Sequence, residues 1–81
     1  MAKKPDQYYQ MTEIGRELYD YWKKFKPKMF REMEQTGTLW EILTSEDNRL
    51  SEMVIDLIHH GMSVDQAMDV ARAEIYETEE T

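Results

Sequence analysis

Apolar residues recur at intervals of three and four along most of this 81-residue chain, and this spacing restricts the chain to helices. Two stretches show the pattern most clearly: Ile14, Leu18, Tyr21, Trp22 and Phe25, and then Leu50, Met53, Val54, Leu57 and Ile58. Each stretch places its apolar side chains on one face of a helix. Alternating patterns typical of strands are absent. We therefore predict an all-α fold, a small compact bundle of three to four short helices.

Glycine and proline stand where helices would begin or end. Thr12 is a candidate N-cap for the first helix, and Pro27 suits the first turn of the second. Gly37 and Gly61 suit the left-handed position that follows a helix. Gly15 falls inside the first apolar stripe, where a glycine weakens a helix by about 1 kcal/mol relative to alanine.

Hydroxyl residues mark further helix starts. Thr38 and Ser63 are each followed three residues later by Glu or Gln, which is the capping-box pattern. The first box predicts a short helical turn over residues 39–43, and Thr44 and Ser45 then predict the start of a separate third helix. The second box predicts the start of the last helix, whose inner face carries Ala67, Met68, Ala71 and Ile75.

The length of the chain leaves room for one domain. We predict a flexible N-terminal arm over residues 1–11, a single helical domain over residues 12–76 and an acidic tail over residues 77–81. The chain has no cysteine, which excludes a cysteine-based zinc site and favours a cytoplasmic protein over a small secreted one. No apolar run is long enough to cross a membrane, and no secretory signal follows the N-terminal lysines.

Charge divides the chain into two halves of opposite sign. Residues 1–40 carry eight Lys and Arg against six Asp and Glu, whereas residues 41–81 carry two against eleven. Five cations lie within nine residues that contain no acid: Lys23, Lys24, Lys26, Lys28 and Arg31. Segregation of this kind indicates docking on a partner through electrostatics.

The basic stretch over residues 23–31 has two interpretations. Aromatic residues Trp22, Phe25 and Phe30 are interleaved with its cations, as in some nucleic-acid-binding proteins. The same aromatics follow the apolar spacing, which favours a solvated basic helix junction with the rings in the core. The net charge of −7 counts against autonomous binding to duplex DNA.

The acidic half offers a second candidate surface. It could occupy the basic groove of a nucleic-acid-handling protein by imitating phosphates, or it could be an ordinary solvated face. The carboxylates that we expect to contact a partner are Glu46, Asp47, Glu52, Asp56, Asp65 and Asp69.

The sequence gives little support for catalysis or metal binding. Asp56 and His60 stand four residues apart on one predicted helix, but no third metal ligand is evident. The chain has no cysteine nucleophile and no glycine-rich phosphate loop. We therefore expect neither catalytic residues nor a metal site nor a cofactor.

The middle of the chain resembles the TnpV family, small proteins encoded within transposons of anaerobic Gram-positive bacteria. The residues that carry the resemblance are the run YWKKFKP over residues 21–27, Met29-Phe30, and TGTLWE over residues 36–41. Thr38 departs from the family, in which a lysine is common after the glycine. The resemblance implies an all-helical accessory protein of a mobile element, and it implies no catalytic residue.

These observations predict a non-enzymatic accessory protein of a transposon or phage that acts by binding another protein. A sharper form of the hypothesis is an acidic inhibitor of a nucleic-acid-handling host enzyme, of the anti-CRISPR or anti-restriction type. One alternative is a nucleic-acid-binding accessory module that uses residues 23–31. Another is a self-associating structural protein, such as a homodimer in which the basic stretch of one copy meets the acidic half of the other.

Overall fold

The computed structural model describes residues 4–76, and the acidic tail over residues 77–81 lies outside them. Five helices follow one another, and this part of the chain contains no strand: α1 Asp6–Gln10, α2 Glu13–Phe25, α3 Pro27–Thr36, α4 Leu39–His59 and α5 Val64–Tyr76. The all-α class is confirmed. The expected number of three to four helices is wrong, and α4, with 21 residues, is not short. Within the same described part, none of the helices combines the length and apolarity needed to cross a bilayer.

The additional helix, α1, lies in the segment predicted to be an arm. Tyr8 and Met11 are both buried in the core. The Tyr8 ring meets the Tyr19 ring edge to face at 5.1 Å between centroids, and its hydroxyl donates a hydrogen bond to Asp20 at 3.0 Å. The domain therefore extends N-terminal to residue 12, because an aromatic side chain in the first ten residues finds a packing site on α2.

Helix α4 runs without interruption through the break predicted at Thr44 and Ser45. Its buried stripe begins at Leu39 and Leu43 and continues on the same face to Val54, so one unbroken helix buries all of these side chains. The capping box at its start does not form. Thr38 has helical backbone angles, and its hydroxyl lies 2.9 Å from the Thr36 hydroxyl.

Several other helix ends agree with the sequence, whereas Thr12 stands at the N-cap of α2 without the side-chain hydrogen bond of a cap. Gly37 and Gly61 have φ values of 75° and 99°, where residues with a side chain are strained. Ser63 and Gln66 form the predicted reciprocal capping box. The Gln66 N–H donates to the Ser63 hydroxyl and the Ser63 N–H donates to the Gln66 side chain, both at 3.1 Å. Pro27 occupies the first turn of α3.

Helix α2 is central, since it packs against each of the other four helices. Trp40 of α4 stacks on Tyr19 of α2 at 5.4 Å between ring centroids. Helices α4 and α5 pack together across the short connection at residues 60–63, where the fully buried Ala67 and Ala71 allow close approach.

Candidate interaction surfaces

The five clustered cations gather where α2 ends and α3 begins. Lys26 lies between the two helices with backbone angles of φ −132° and ψ 55°, so the helix axes meet at a corner. We call residues 23–31 the basic corner. Lys26 is half-buried, whereas four cations of the corner are exposed: Lys23, Lys24, Lys28 and Arg31.

The exposed cations of the basic corner are not neutralised in ion pairs. Among the described residues, none of these four forms one. Two of them lie over aromatic rings instead. The Lys24 ammonium is 5.2 Å from the Phe25 ring centroid, and the Lys23 ammonium is 5.7 Å from that of Tyr19. The positive potential of the corner is therefore available to an anionic partner.

Exposed aromatic rings accompany these cations. Phe25, which the apolar spacing placed in the core, is 58% exposed, because it is the last residue of α2 and the chain turns into α3 directly after it. Its ring lies 5.0 Å from that of Tyr21, which in turn lies 5.0 Å from that of Tyr76. Tyr76 is 47% exposed. Beside these rings is a groove of about 280 Å³, lined by Glu17, Asp20, Tyr21, Lys24, Phe25 and Tyr76.

A second groove at the basic corner measures about 320 Å³. Lys23 comes from α2 and Arg31 from α3, and both line this groove together with the buried Phe30. Pro27 and Glu34 complete the lining. Cations from two helices thus converge on one concave surface.

The structure removes Asp47 from the predicted acidic surface. Asp47 is 5% exposed and lies on the inner face of α4. Its carboxylate accepts hydrogen bonds from the Thr12 N–H at 3.0 Å, from the Thr12 hydroxyl, and from the Ser51 hydroxyl at 3.3 Å. Asp47 therefore caps the start of α2 from a neighbouring helix. The expectation that it contacts a partner is wrong.

Gly15 makes room for this carboxylate. A Cβ atom at Gly15 would lie 2.7 Å from Cγ of Asp47 and 2.9 Å from its Oδ2 atom, closer than atoms pack. The glycine that weakens α2 locally is therefore the residue that lets α2 and α4 approach at this point.

Glu46 and Asp69 are held in ion pairs with the two arginines of the acidic half. Arg49 donates to Glu46 at 3.1 Å and reaches Glu74 of α5 at 3.5 Å. Arg72 donates to Glu17 of α2 at 2.9 Å and lies 3.5 Å from Asp69. The hydrogen bond with Glu46 raises the pKa of Arg49, and that with Glu17 raises the pKa of Arg72.

The other three predicted acidic residues are exposed. Glu52 and Asp56 stand four apart on the outer side of α4, and Asp65 lies in the first turn of α5. Within the described residues none of them forms an ion pair. The predicted acidic set is thus divided among buried, paired and solvated carboxylates.

An apolar depression lies between three helices and was not predicted from the sequence. This α2–α4–α5 groove measures about 210 Å³ and is lined by Thr12, Glu13, Ile14, Ser51, Val54, Ile55 and Met68. Ile55 is 55% exposed. One feature of the sequence indicates this groove: Ile55 is an apolar residue outside the apolar stripe of α4.

Asp56 and His60 are in contact at the end of α4 through the His60 ring and the Asp56 backbone. The Nδ1 atom of His60 lies 2.8 Å from the backbone carbonyl oxygen of Asp56, a contact within one helical turn. In residues 4–76 no group of three or more His, Asp and Glu side chains is placed to hold a metal ion.

Comparison with known proteins finds no match: no protein-family model, no curated protein and no solved structure is significantly similar to this chain.

Proposed function

We propose that this chain is a non-enzymatic accessory protein that binds another protein through its basic corner. The observation that carries the proposal is the exposure of Phe25 beside the four exposed cations of the corner, which form no ion pair with the described residues. Aromatic residues, phenylalanine included, and arginine are enriched in protein interfaces relative to the rest of the surface. The partner presents an acidic surface with an apolar pocket for the Phe25 ring.

The biological setting rests on the resemblance to TnpV proteins. That resemblance implies an accessory role within a mobile element, and the run YWKKFKP that carries it overlaps the basic corner. A sharper version is inhibition of a nucleic-acid-handling host enzyme. The exposed carboxylates Glu52, Asp56 and Asp65 favour that version, because they remain free to meet a basic surface.

The test is capture of partners by the tagged full chain from host lysate, with nuclease treatment, compared with a variant of the corner. Lys28→Glu combined with Arg31→Glu reverses two exposed charges. The fold should tolerate this variant, since an acid at position 28 lies in the first turn of α3 and suits the helix dipole. We expect the wild type to capture a specific protein after nuclease treatment, and the variant to lose most of it.

The matched control is Asp56→Lys with Glu52→Lys, which reverses two exposed charges on α4. This control should keep the partner of the basic corner, and loss of a second, basic partner in the control alone would support the sharper version. Loss of the partner in the control but not in the corner variant would contradict the proposal and move the contact to the acidic half. Phe25→Ala sharpens the result, because it removes the aromatic ring without changing the charge.

Nucleic-acid binding by the basic corner is the second candidate. It is favoured by the exposed Phe25 ring with the Lys24 ammonium beside it, because single-stranded nucleic acids stack their bases on aromatic rings within positively charged surfaces. A labelled single-stranded oligonucleotide tests it directly. Binding that falls steeply with salt and is lost in the Lys28→Glu, Arg31→Glu variant would support this candidate, and disappearance of all captured partners after nuclease would agree with it.

Self-association is the third candidate and is tested separately by light scattering. A dimer that dissociates as salt is raised would indicate that the corner of one copy meets the carboxylates of another.

A further inference from the structure

We propose that the α2–α4–α5 groove binds a basic amphipathic helix of a partner protein, at a site separate from the basic corner. The inference does not depend on the function proposed above. It rests on the apolar floor of the groove, on the carboxylates around it and on the place of the groove in the fold.

Apolar side chains from three helices form the floor of the groove. Ile14 of α2 and Val54 of α4 are buried beneath it, and Met68 of α5 is half-buried at its edge. Ile55 extends this surface into solvent, and Val64, one helical turn before Met68 on α5, is 60% exposed. Apolar side chains left in water around a concave floor are typical of a docking surface.

One carboxylate lines the groove, and others lie beside it. Glu13 lines it, and Glu13 and Asp69 both lie within ion-pair distance of Arg72, at 3.8 and 3.5 Å. This single guanidinium also pairs with Glu17, so the carboxylates at that end outnumber the cation. On the other two helices, two exposed acids stand near lining residues in the sequence: Glu52 follows Ser51 on α4, and Asp65 stands three residues before Met68 on α5.

An apolar floor with an acidic rim is complementary to a helix that carries apolar residues on one face and Lys or Arg around them. Such helices insert side chains spaced at three and four residues into a hydrophobic groove. The flexible thioether of Met68 suits an apolar contact of variable shape. Cations beside the inserted side chains would meet the rim and set the orientation of the helix.

A second copy of this chain is a poorer occupant. Its clustered cations lie at the basic corner, where Lys26 and Pro27 interrupt the helix. None of the five described helices therefore presents that cluster as one continuous basic face. The groove and the corner lie near opposite ends of α2, about 18 Å apart along its axis. One chain could thus hold an acidic partner at one end and a basic helix at the other.

The experiment uses the full chain and a labelled synthetic peptide of leucine and lysine, about five helical turns long, with leucine at three- and four-residue intervals. Fluorescence anisotropy measures its affinity. One control peptide has the same composition in scrambled order, and a second replaces each lysine by glutamate. We expect the amphipathic lysine peptide to bind at least about tenfold more tightly than either control.

Two matched variants locate the site on the protein. Ile55→Lys places a cation in the groove at an exposed position and should weaken binding about tenfold. Ile42→Lys makes the same exchange on the same helix, at an exposed position that does not line the groove, and should leave the affinity unchanged. Lys28→Glu with Arg31→Glu should bind the peptide as well as the wild type, which separates this test from that of the basic corner.

A further variant tests the rim while leaving the apolar floor intact. Glu52→Lys with Asp65→Lys should weaken the lysine peptide and strengthen the glutamate peptide. Equal binding of the scrambled peptide would overturn the proposal, because it would show attraction by net charge alone. The proposal would also be overturned if Ile42→Lys weakened peptide binding as much as Ile55→Lys does. A wild-type dimer that Ile55→Lys abolishes would overturn it too, and would assign the groove to a second copy of the chain.

Discussion

The two ends of α2 treat charge in opposite ways. At its N-terminal end, a carboxylate from α4 is buried and accepts three hydrogen bonds, two of them from Thr12. At its C-terminal end, Lys23 and Lys24 are exposed and form no ion pair with any described residue. Both ends obey the same electrostatics, since an acid suits the start of a helix and cations suit its end.

What differs is the neighbour that each end meets. The start of α2 packs directly on α4, so the N–H group of Thr12 needs a hydrogen-bond acceptor inside the protein. The last turn reaches the corner at Lys26, where the exposed side chains are solvated and remain available to a partner. One helix thus uses polar contacts for the fold at one end and leaves its charged side chains exposed at the other.

Of the substitutions Asp47→Ala, Gly15→Ala and Phe25→Ala, the first should have the largest effect, because it removes the buried carboxylate. Asp47→Ala leaves the N–H and hydroxyl groups of Thr12 without their acceptor, and we expect the free energy of unfolding to fall by about 2–3 kcal/mol. Urea denaturation followed by circular dichroism measures it. The control Glu52→Ala removes an exposed acid from the same helix and should change stability by less than about 0.5 kcal/mol. Equal losses of stability in the two variants would show that the buried carboxylate at the start of α2 contributes no more than an exposed one.

Gly15→Ala distinguishes the effect of helix propensity from that of tertiary packing. Helix propensity alone predicts a gain of about 1 kcal/mol. The contact with Asp47 predicts overpacking that costs about 1–3 kcal/mol, so we expect a net loss of about 1 kcal/mol in the same urea experiment. In the Asp47→Ala background the loss should be smaller, because the contacts with Cγ and Oδ2 are gone and only that with the Cβ atom of residue 47, at 3.0 Å, remains. A gain in the wild-type background would contradict the close approach of α2 and α4.

Phe25→Ala should have the smallest effect on stability of the three substitutions. The ring is more than half exposed, so we expect a loss below about 1 kcal/mol, mostly from its contact with Tyr21. The matched variant Trp22→Ala, three residues earlier and buried, should lose about 3–5 kcal/mol. Thermal unfolding of the two variants compares them. A large loss for Phe25→Ala would place its ring in the core and weaken the proposed role of the corner.

The candidate site was predictable only in part. Sequence spacing located the cations of the basic corner, because five charges within nine residues lie close together in any fold. It misassigned Phe25, since the apolar stripe continues past the point where a neighbouring helix covers it. The α2–α4–α5 groove was invisible for a related reason, because its lining comes from three segments that are distant in sequence.

Local information in the sequence determined the all-α class and several helix ends. Pro27, Gly37, Gly61 and Ser63 act through their own backbone angles or through hydrogen bonds within one turn, so their effects do not depend on the rest of the fold. Only the tertiary structure decided that Asp47 is inside and Phe25 outside. Burial of a side chain depends on which helix packs against it, and periodicity specifies a face of a helix without specifying its neighbour.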